Sequence, residues 1–206
     1  GSEISGGCRN VYAEDCEMDS PDLDRVLRIK TNNCRGGVIE NINVRNIRVG
    51  QCGEAVLKIN LDYESNEDCY RGFQPIVRNV TMENVTCKKS EYGVLMIGMN
   101  DADNIYDIHV NNCHLDGVEK APVKITGKTH DIYFDQLYIN GSLVLNDSDK
   151  PFKNFSQWMA WSEMKRNPQS WLLDFSKKPK WSYVMGIELE GMLDTYLRYH
   201  DDSVLK

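Results

Sequence analysis

The chain has 206 residues, of which 41% are hydrophobic, and a formal net charge of −7 at pH 7. This length accommodates one domain, or one domain and a fragment of another. The acidic balance argues against a nucleic-acid partner, because proteins that bind nucleic acids usually carry a basic face. No apolar run approaches the ~20 residues that a membrane-spanning helix requires, and residues 1–20 lack a signal-peptide pattern, so we expect no membrane partner.

Five short segments share a repeated pattern, in which Asn or Asp is followed by alternating apolar and polar residues. They span residues 10–16, 41–47, 79–85, 107–113 and 131–137. Alternation with a period of two predicts half-buried β-strands. A second strand is predicted after each of the first four segments, at Val26–Lys30, Val56–Asn60, Val94–Gly98 and Pro122–Thr126. Because the strands recur while the loops vary in length, the sequence predicts a mainly β solenoid, a parallel β-helix.

The Asn or Asp that begins each segment predicts a bend in the chain. Asn tolerates unusual backbone angles, and stacked Asn side chains can hydrogen-bond from one turn to the next. We therefore expect an asparagine ladder along the solenoid.

Alternation also assigns the two faces of the second strands. The positions expected to point inward are Leu27, Ile29, Leu57, Ile59, Leu95, Ile97, Val123 and Ile125. Arg28 and Lys30 then project side by side from the outer surface, with Lys58 and Asn60 on the next strand. The sequence thus predicts a cluster of positive charges that can bind an anionic ligand despite the acidic background.

The chain contains seven cysteines, an odd number, with no Cys-x-x-Cys motif and no spacing typical of a zinc site. We expect buried free thiols rather than a disulfide framework, since free Cys behaves as a small hydrophobic residue. No metal site and no cofactor are expected.

Several motifs in register with the repeat resemble the C-terminal half of family 28 glycoside hydrolases, the polygalacturonases. They are Ser5-Gly6-Gly7, Arg9-Asn10-Val11, Arg28-Ile29-Lys30-Thr31, Asn41-Ile42, Asn46-Ile47 and Asp62-Tyr63. The resemblance covers about residues 1–145 and implies a right-handed parallel β-helix that hydrolyses galacturonosidic linkages with inversion. It further implies that Arg28, Lys30 and Tyr63 bind the galacturonate unit next to the scissile bond. The expected partner is therefore a pectic polysaccharide or an oligogalacturonide, in an extracellular or periplasmic location.

The same resemblance bears on catalysis. An inverting glycosidase holds its acid and its base ~6.5–9.5 Å apart. In the family these carboxylates precede the segment that residues 1–7 resemble, so we expect no catalytic residue in this chain and no activity from it alone. The nearby acidic residues are expected to be solvated loop residues: Glu3, Asp15, Asp19, Asp22 and Asp24. Two alternatives stay open, a non-catalytic carbohydrate-binding β-helix and a pectate lyase, which would need clustered carboxylates for calcium and an arginine base.

The β pattern ends near Leu145, and helical periodicity follows a polar stretch. We expect a β-helical domain at residues 1–145, a linker at 146–154 and a helical segment at 155–206. A first helix is expected from Phe155 to about Lys165. A second is expected with Ser182 as its N-cap and an apolar stripe of Met185, Leu189, Met192, Leu193, Tyr196 and Tyr199.

Residues 162–183, including Trp181 and Tyr183, resemble the start of family 105 glycoside hydrolases. These are unsaturated rhamnogalacturonyl or glucuronyl hydrolases built as a barrel of about twelve helices. The chain departs from the family at Met185-Gly186, where the family usually has His-Gly. The resemblance implies that a pectin-cleaving module is joined to the start of a module that removes unsaturated uronic ends.

Overall fold

A computed structural model describes residues 4–63, 68–146, 156, 159–160, 163–164 and 183–199. The chain divides into two compact units, Gly1–Asn146 and Asp147–Lys206. Within the described residues, no helix is both long and apolar enough to cross a membrane.

The described part of the first unit consists of strands and the loops between them. They are β1 (Cys8–Glu14), β2 (Glu17–Met18), β3 (Arg25–Lys30), β4 (Val38–Val49), β5 (Ala55–Asn60), β6 (Ile76–Cys87), β7 (Ser90–Ile97), β8 (Ile105–Leu115), β9 (Val118–Thr126), β10 (His130–Ile139) and β11 (Ser142–Leu143). Sheet A has the order β1-β4-β6-β8-β10-β11, with β2 also paired to β4. Sheet B has the order β3-β5-β7-β9. All pairs are parallel except the antiparallel pair β10 and β11.

From β3 to β10 the chain alternates between the two sheets, so neighbouring strands of one sheet are separated by a strand of the other. The inward side chains of both sheets form one hydrophobic core. Its fully buried members include Ile47, Val80 and Ile108 from sheet A and Leu57 and Ile59 from sheet B. The predicted mainly β structure with parallel strands is confirmed.

The expected asparagine ladder is present at the bends of sheet A. Asn41 Nδ2 donates to Asn10 Oδ1 at 3.0 Å, and Asn79 Nδ2 donates to Asn41 Oδ1 at 2.6 Å. All three residues have left-handed backbone conformations, with φ of 58° at Asn10, 56° at Asn41 and 50° at Asn79. Asn adopts this region at lower cost than most residues because its short polar side chain can hydrogen-bond locally.

A second ladder, which the sequence did not predict, runs parallel to the first. Asn46 Nδ2 donates to Asp15 Oδ1 at 2.8 Å, and Asn84 Nδ2 donates to Asn46 Oδ1 at 2.8 Å. These residues also have positive φ. Each long strand of sheet A therefore bends twice, and each bend is aligned with that of the next strand.

The predicted second strands lie in sheet B, except that Gly98 follows the end of β7, and the face assignment of β7 was wrong. The register pairs Leu57 with Val94 and Lys58 with Leu95. Val94 and Met96 are therefore the core residues, and Leu95 and Ile97 are on the outer face. Residues 94–97 are apolar at every position, so alternation could not set the phase of this strand.

The described part of the second unit is helical. Helix α1 spans Tyr183–Tyr199, as predicted. Of the predicted stripe, Leu189, Met192 and Tyr196 are half-buried, but Leu193 is exposed, so the stripe was wrong at that position. Thr195 is buried instead, and its hydroxyl is satisfied because it donates to the Gly191 carbonyl at 2.8 Å.

Other predicted features of this unit are only partly described. The described positions between 155 and 165 are all helical, as expected for the first predicted helix. Ser182 and Trp181, and the side chains of Met185, Tyr183 and Tyr199, lie outside the described part of the chain.

Candidate functional site

The outer face of sheet B carries two rows of side chains in register. One row is Arg28, Lys58, Leu95 and Lys124, and the other is Lys30, Asn60, Ile97 and Thr126. Arg28 and Lys30 thus share one face of β3, as the alternation of the sequence predicted.

The ammonium group of Lys30 contacts Tyr63, which follows β5. Lys30 Nζ lies 3.9 Å from the centroid of the Tyr63 ring, a distance at which a cation is attracted by the ring quadrupole. The structure therefore brings together two of the three side chains for which the sequence predicted a binding role. Arg28, the third, lies two residues before Lys30 on the same face of β3.

The backbone of Tyr63 is fixed by the loop that follows β3. Asn32 is buried, and both ends of its amide are satisfied. Its Nδ2 donates to the Tyr63 carbonyl at 3.0 Å, and its Oδ1 accepts from the Cys34 backbone at 3.0 Å. The Tyr63 N–H donates to the Thr31 carbonyl at 3.3 Å. Buried and satisfied polar groups of this kind hold a loop in one conformation.

A disulfide between Cys34 and Cys69 joins the same two loops, with a Cα–Cα distance of 5.8 Å. The expectation of free thiols was therefore wrong for this pair, although Cys8, Cys16, Cys52, Cys87 and Cys113 are free. The two bonded residues follow β3 and β5, which are adjacent in sheet B, so a separation of 35 residues becomes a short distance. Equivalent loops of successive repeats meet in this way, which the spacing of cysteines alone did not reveal.

Arg28 has an exposed side chain. Within residues 4–63 and 68–146, it forms no ion pair and no hydrogen bond through its side chain, and Lys30 has no carboxylate partner. Two adjacent positive charges are thus uncompensated by the described residues. A site of this composition favours an anion, and a guanidinium fork favours a carboxylate.

Lys58, the third predicted cation, is already paired. Its ammonium group binds the Glu54 carboxylate, which also binds Arg25. Burial raises the pKa of Glu54, but the hydrogen bond and charge of Lys58, followed by the charge of Arg25, outweigh burial and hold the pKa below its usual value. Reasoning from the sequence missed this network. The signal in the sequence was the spacing of four residues between Glu54 and Lys58, which places both on one face of an extended chain.

Three of the acidic residues near the start of the chain, Asp15, Asp19 and Asp24, have local partners, and Glu3 lies outside the described residues. Asp15 accepts from Asn46, and Asp19 Oδ1 accepts from the Gln51 side chain at 3.1 Å. Asp24 pairs with Arg25 at 2.8 Å. Among the described residues, no group of three or more His, Cys, Asp or Glu is arranged to hold a metal ion.

A family model described as glycosyl hydrolases family 28 matches residues 1–135. The chain belongs to glycosyl hydrolases family 28. The family 28 match includes Arg28, Lys30 and Tyr63, and it ends within β10. No curated protein matches the chain.

Family 28 membership implies a glycosyl hydrolase that acts on a polysaccharide, and enzymes of this family are typically secreted. The match does not extend to the second unit. The resemblance of residues 162–183 to family 105 therefore stays a prediction.

Proposed function

We propose that the first unit is part of a polygalacturonase-like enzyme, folded as a right-handed parallel β-helix, that hydrolyses galacturonosidic linkages of pectin with inversion. Arg28, Lys30 and Tyr63, together called the Arg28 site, bind one galacturonate unit of the substrate. The observation that carries this proposal is a pair of uncompensated cations beside an aromatic ring, on one face of a family 28 protein with a net charge of −7.

The chemistry of the three side chains suits a uronate. Arg28 offers a planar fork that can donate two parallel hydrogen bonds to a carboxylate. Lys30 adds a point charge. Tyr63 presents a flat ring against which the apolar face of a sugar can pack, and its backbone is held by buried Asn32. A neutral sugar would leave both cations without a partner.

The Arg28 site binds substrate and does not break the bond. The carboxylate of Glu54 is already paired with Lys58 and Arg25. The carboxylates of Asp15, Asp19 and Asp24 are likewise bound to neighbouring side chains. The family resemblance puts the acid and the base upstream of the segment that residues 1–7 resemble. We therefore propose that the 206-residue chain binds oligogalacturonides without hydrolysing them.

Calorimetric titration with an oligogalacturonide tests the Arg28 site. Arg28→Gln should weaken binding about 10- to 100-fold, since a hydrogen bond to a charged group contributes roughly 1.5–3 kcal/mol. Arg48→Gln is the matched control, because Arg48 is an exposed arginine on sheet A that pairs with Glu17 at 3.2 Å, away from the Arg28 site. An exposed pair of this kind contributes little to stability.

The ligand supplies a second control. A galactan oligomer, which lacks carboxylates, should bind weakly and equally to the parent chain and to Arg28→Gln. If Arg28→Gln and Arg48→Gln bind the oligogalacturonide equally well, the Arg28 site does not exist. Release of reducing ends from polygalacturonate by this chain alone would refute the proposal that it binds without cleaving.

For the rest of the chain, we propose the organisation that the sequence predicted. Residues 1–145 form the β-helix, residues 146–154 a linker, and residues 155–206 the start of a family 105-like helical module. The fusion would act on pectin outside the cytoplasm, in an extracellular or periplasmic location. Limited proteolysis tests the linker: cleavage should concentrate between residues 146 and 154, and uniform resistance there would contradict it.

A further inference from the structure

A second pairing of lysine with tyrosine lies on sheet B, three strands from Arg28. Lys120 Nζ and Lys124 Nζ each lie 5.9 Å from the centroid of the Tyr92 ring. Lys120 is also 2.7 Å from the Glu91 carboxylate. Lys124 is exposed, and it has no ion pair with any residue that the structure describes. It therefore repeats the situation of Lys30, an unpaired cation next to a tyrosine ring.

Lys124 and Arg28 occupy the two ends of the same row. Lys58 and Leu95 lie between them. Because parallel strands are ~4.8 Å apart, the ends of the row are separated by roughly 14 Å. Glu54 neutralises Lys58. The row thus carries an uncompensated cation at each end, with the paired Lys58 and the buried Leu95 between them.

This charge distribution matches a linear polyanion better than a single small anion. A polymer with a carboxylate on every unit can place one carboxylate at each end of the row and needs none in the middle. We propose that Lys124, Lys120 and Tyr92, together called the Lys124 site, bind a second uronate unit of the same oligosaccharide. This inference rests on the proposed function of the Arg28 site.

Two linked sites make affinity depend on ligand length. A short ligand occupies one site, whereas a ligand that spans both gains from the second contact without a second loss of translational freedom. Since Lys124 is exposed, its carboxylate contact should be modest, and the gain should be roughly 3- to 10-fold.

The test compares two oligogalacturonides on the full 206-residue chain. One is digalacturonate, and the other has about ten units, so that it can span both sites. The long ligand should bind the parent chain more tightly than digalacturonate. Lys124→Gln should remove roughly 3- to 10-fold of the affinity for the long ligand. It should leave digalacturonate binding unchanged. Arg48→Gln controls for the loss of one positive charge, and circular dichroism checks that each variant is folded.

The outcomes separate this inference from the proposal on which it rests. If Arg28→Gln weakens both ligands while Lys124→Gln weakens neither, the Arg28 site stands and the Lys124 site is refuted. The Lys124 site is also refuted if the parent chain binds both ligands equally. If Arg28→Gln has no effect on either ligand, the proposed function fails. If Lys124→Gln weakens both ligands equally, the two sites are not separate and the inference is wrong.

Discussion

The asparagine ladder should make a measurable contribution to the stability of the first unit, and Asn41 is the position at which to measure it. Asn41 has φ of 56° and is hydrogen-bonded through its side chain to Asn10 on one side and Asn79 on the other. Alanine at this position removes both hydrogen bonds. It also leaves a Cβ atom in the left-handed region without a compensating local hydrogen bond.

The two effects can be estimated separately. A left-handed conformation costs an ordinary residue roughly 1–2 kcal/mol. Each net hydrogen bond contributes about 0.5–1.5 kcal/mol. Asn41→Ala should therefore lower the free energy of unfolding by about 3 kcal/mol. Asn41→Gly loses the same hydrogen bonds but not the backbone term, so it should be less destabilising than Asn41→Ala by ~1 kcal/mol.

Equilibrium urea unfolding, followed by far-ultraviolet circular dichroism, measures these differences. Asn43→Ala is the control, since Asn43 lies in β4 with an ordinary φ and no hydrogen bond through its side chain among the described residues. It should change stability by less than about 0.5 kcal/mol. If Asn41→Ala and Asn41→Gly lose equal free energy of unfolding, the left-handed conformation at this position has no cost for alanine. Losses no larger than that of Asn43→Ala would refute the ladder as a source of stability.

Two further predictions concern the support of sheet B. Glu54→Gln should lower the free energy of unfolding at pH 7 by ~2 kcal/mol, since it removes a carboxylate that Lys58 and Arg25 both bind. Because folding lowers the Glu54 pKa, its contribution is complete above the ordinary glutamate value and is lost as pH falls through the folded value. The urea midpoint of the variant should thus fall less steeply at acidic pH than that of the parent chain. An equally steep fall in the two proteins would contradict this. Replacing Cys34 and Cys69 by serine should cost roughly 3–4 kcal/mol for a loop of this length, and a reductant should destabilise the parent chain but not the double variant.

The strands of sheet A were predictable because their sequence contains two independent signals. Period-two alternation gives the strand, and the leading Asn or Asp gives the bend. The structure shows both at Asn41 and Asn79. The second ladder was missed although its signal is as regular, since Asp15, Asn46 and Asn84 each lie five residues after the leading Asn of their segment.

Sheet B was harder to predict wherever polarity failed to alternate. In β3 and β5 the charged residues mark the outer face, and the assignment of Arg28 and Lys58 followed directly. In β7 no polar residue separates Val94 from Ile97. The correct phase then depends on the neighbouring strands and on a register shift near the start of β7, which only the folded chain contains.

Residues outside the row of Arg28, Lys58, Leu95 and Lys124 decide which of its cations are available to a ligand. From the sequence, Arg28, Lys58 and Lys124 are equivalent, since each occupies an outward position of sheet B. The structure distinguishes them because Glu54, one residue before β5, lies within reach of both Lys58 and Arg25. A carboxylate placed there neutralises the middle of the row and leaves its ends charged. The charge pattern on the outer face of sheet B is therefore set by the register of the strands, and a shift of one residue in that register would abolish it.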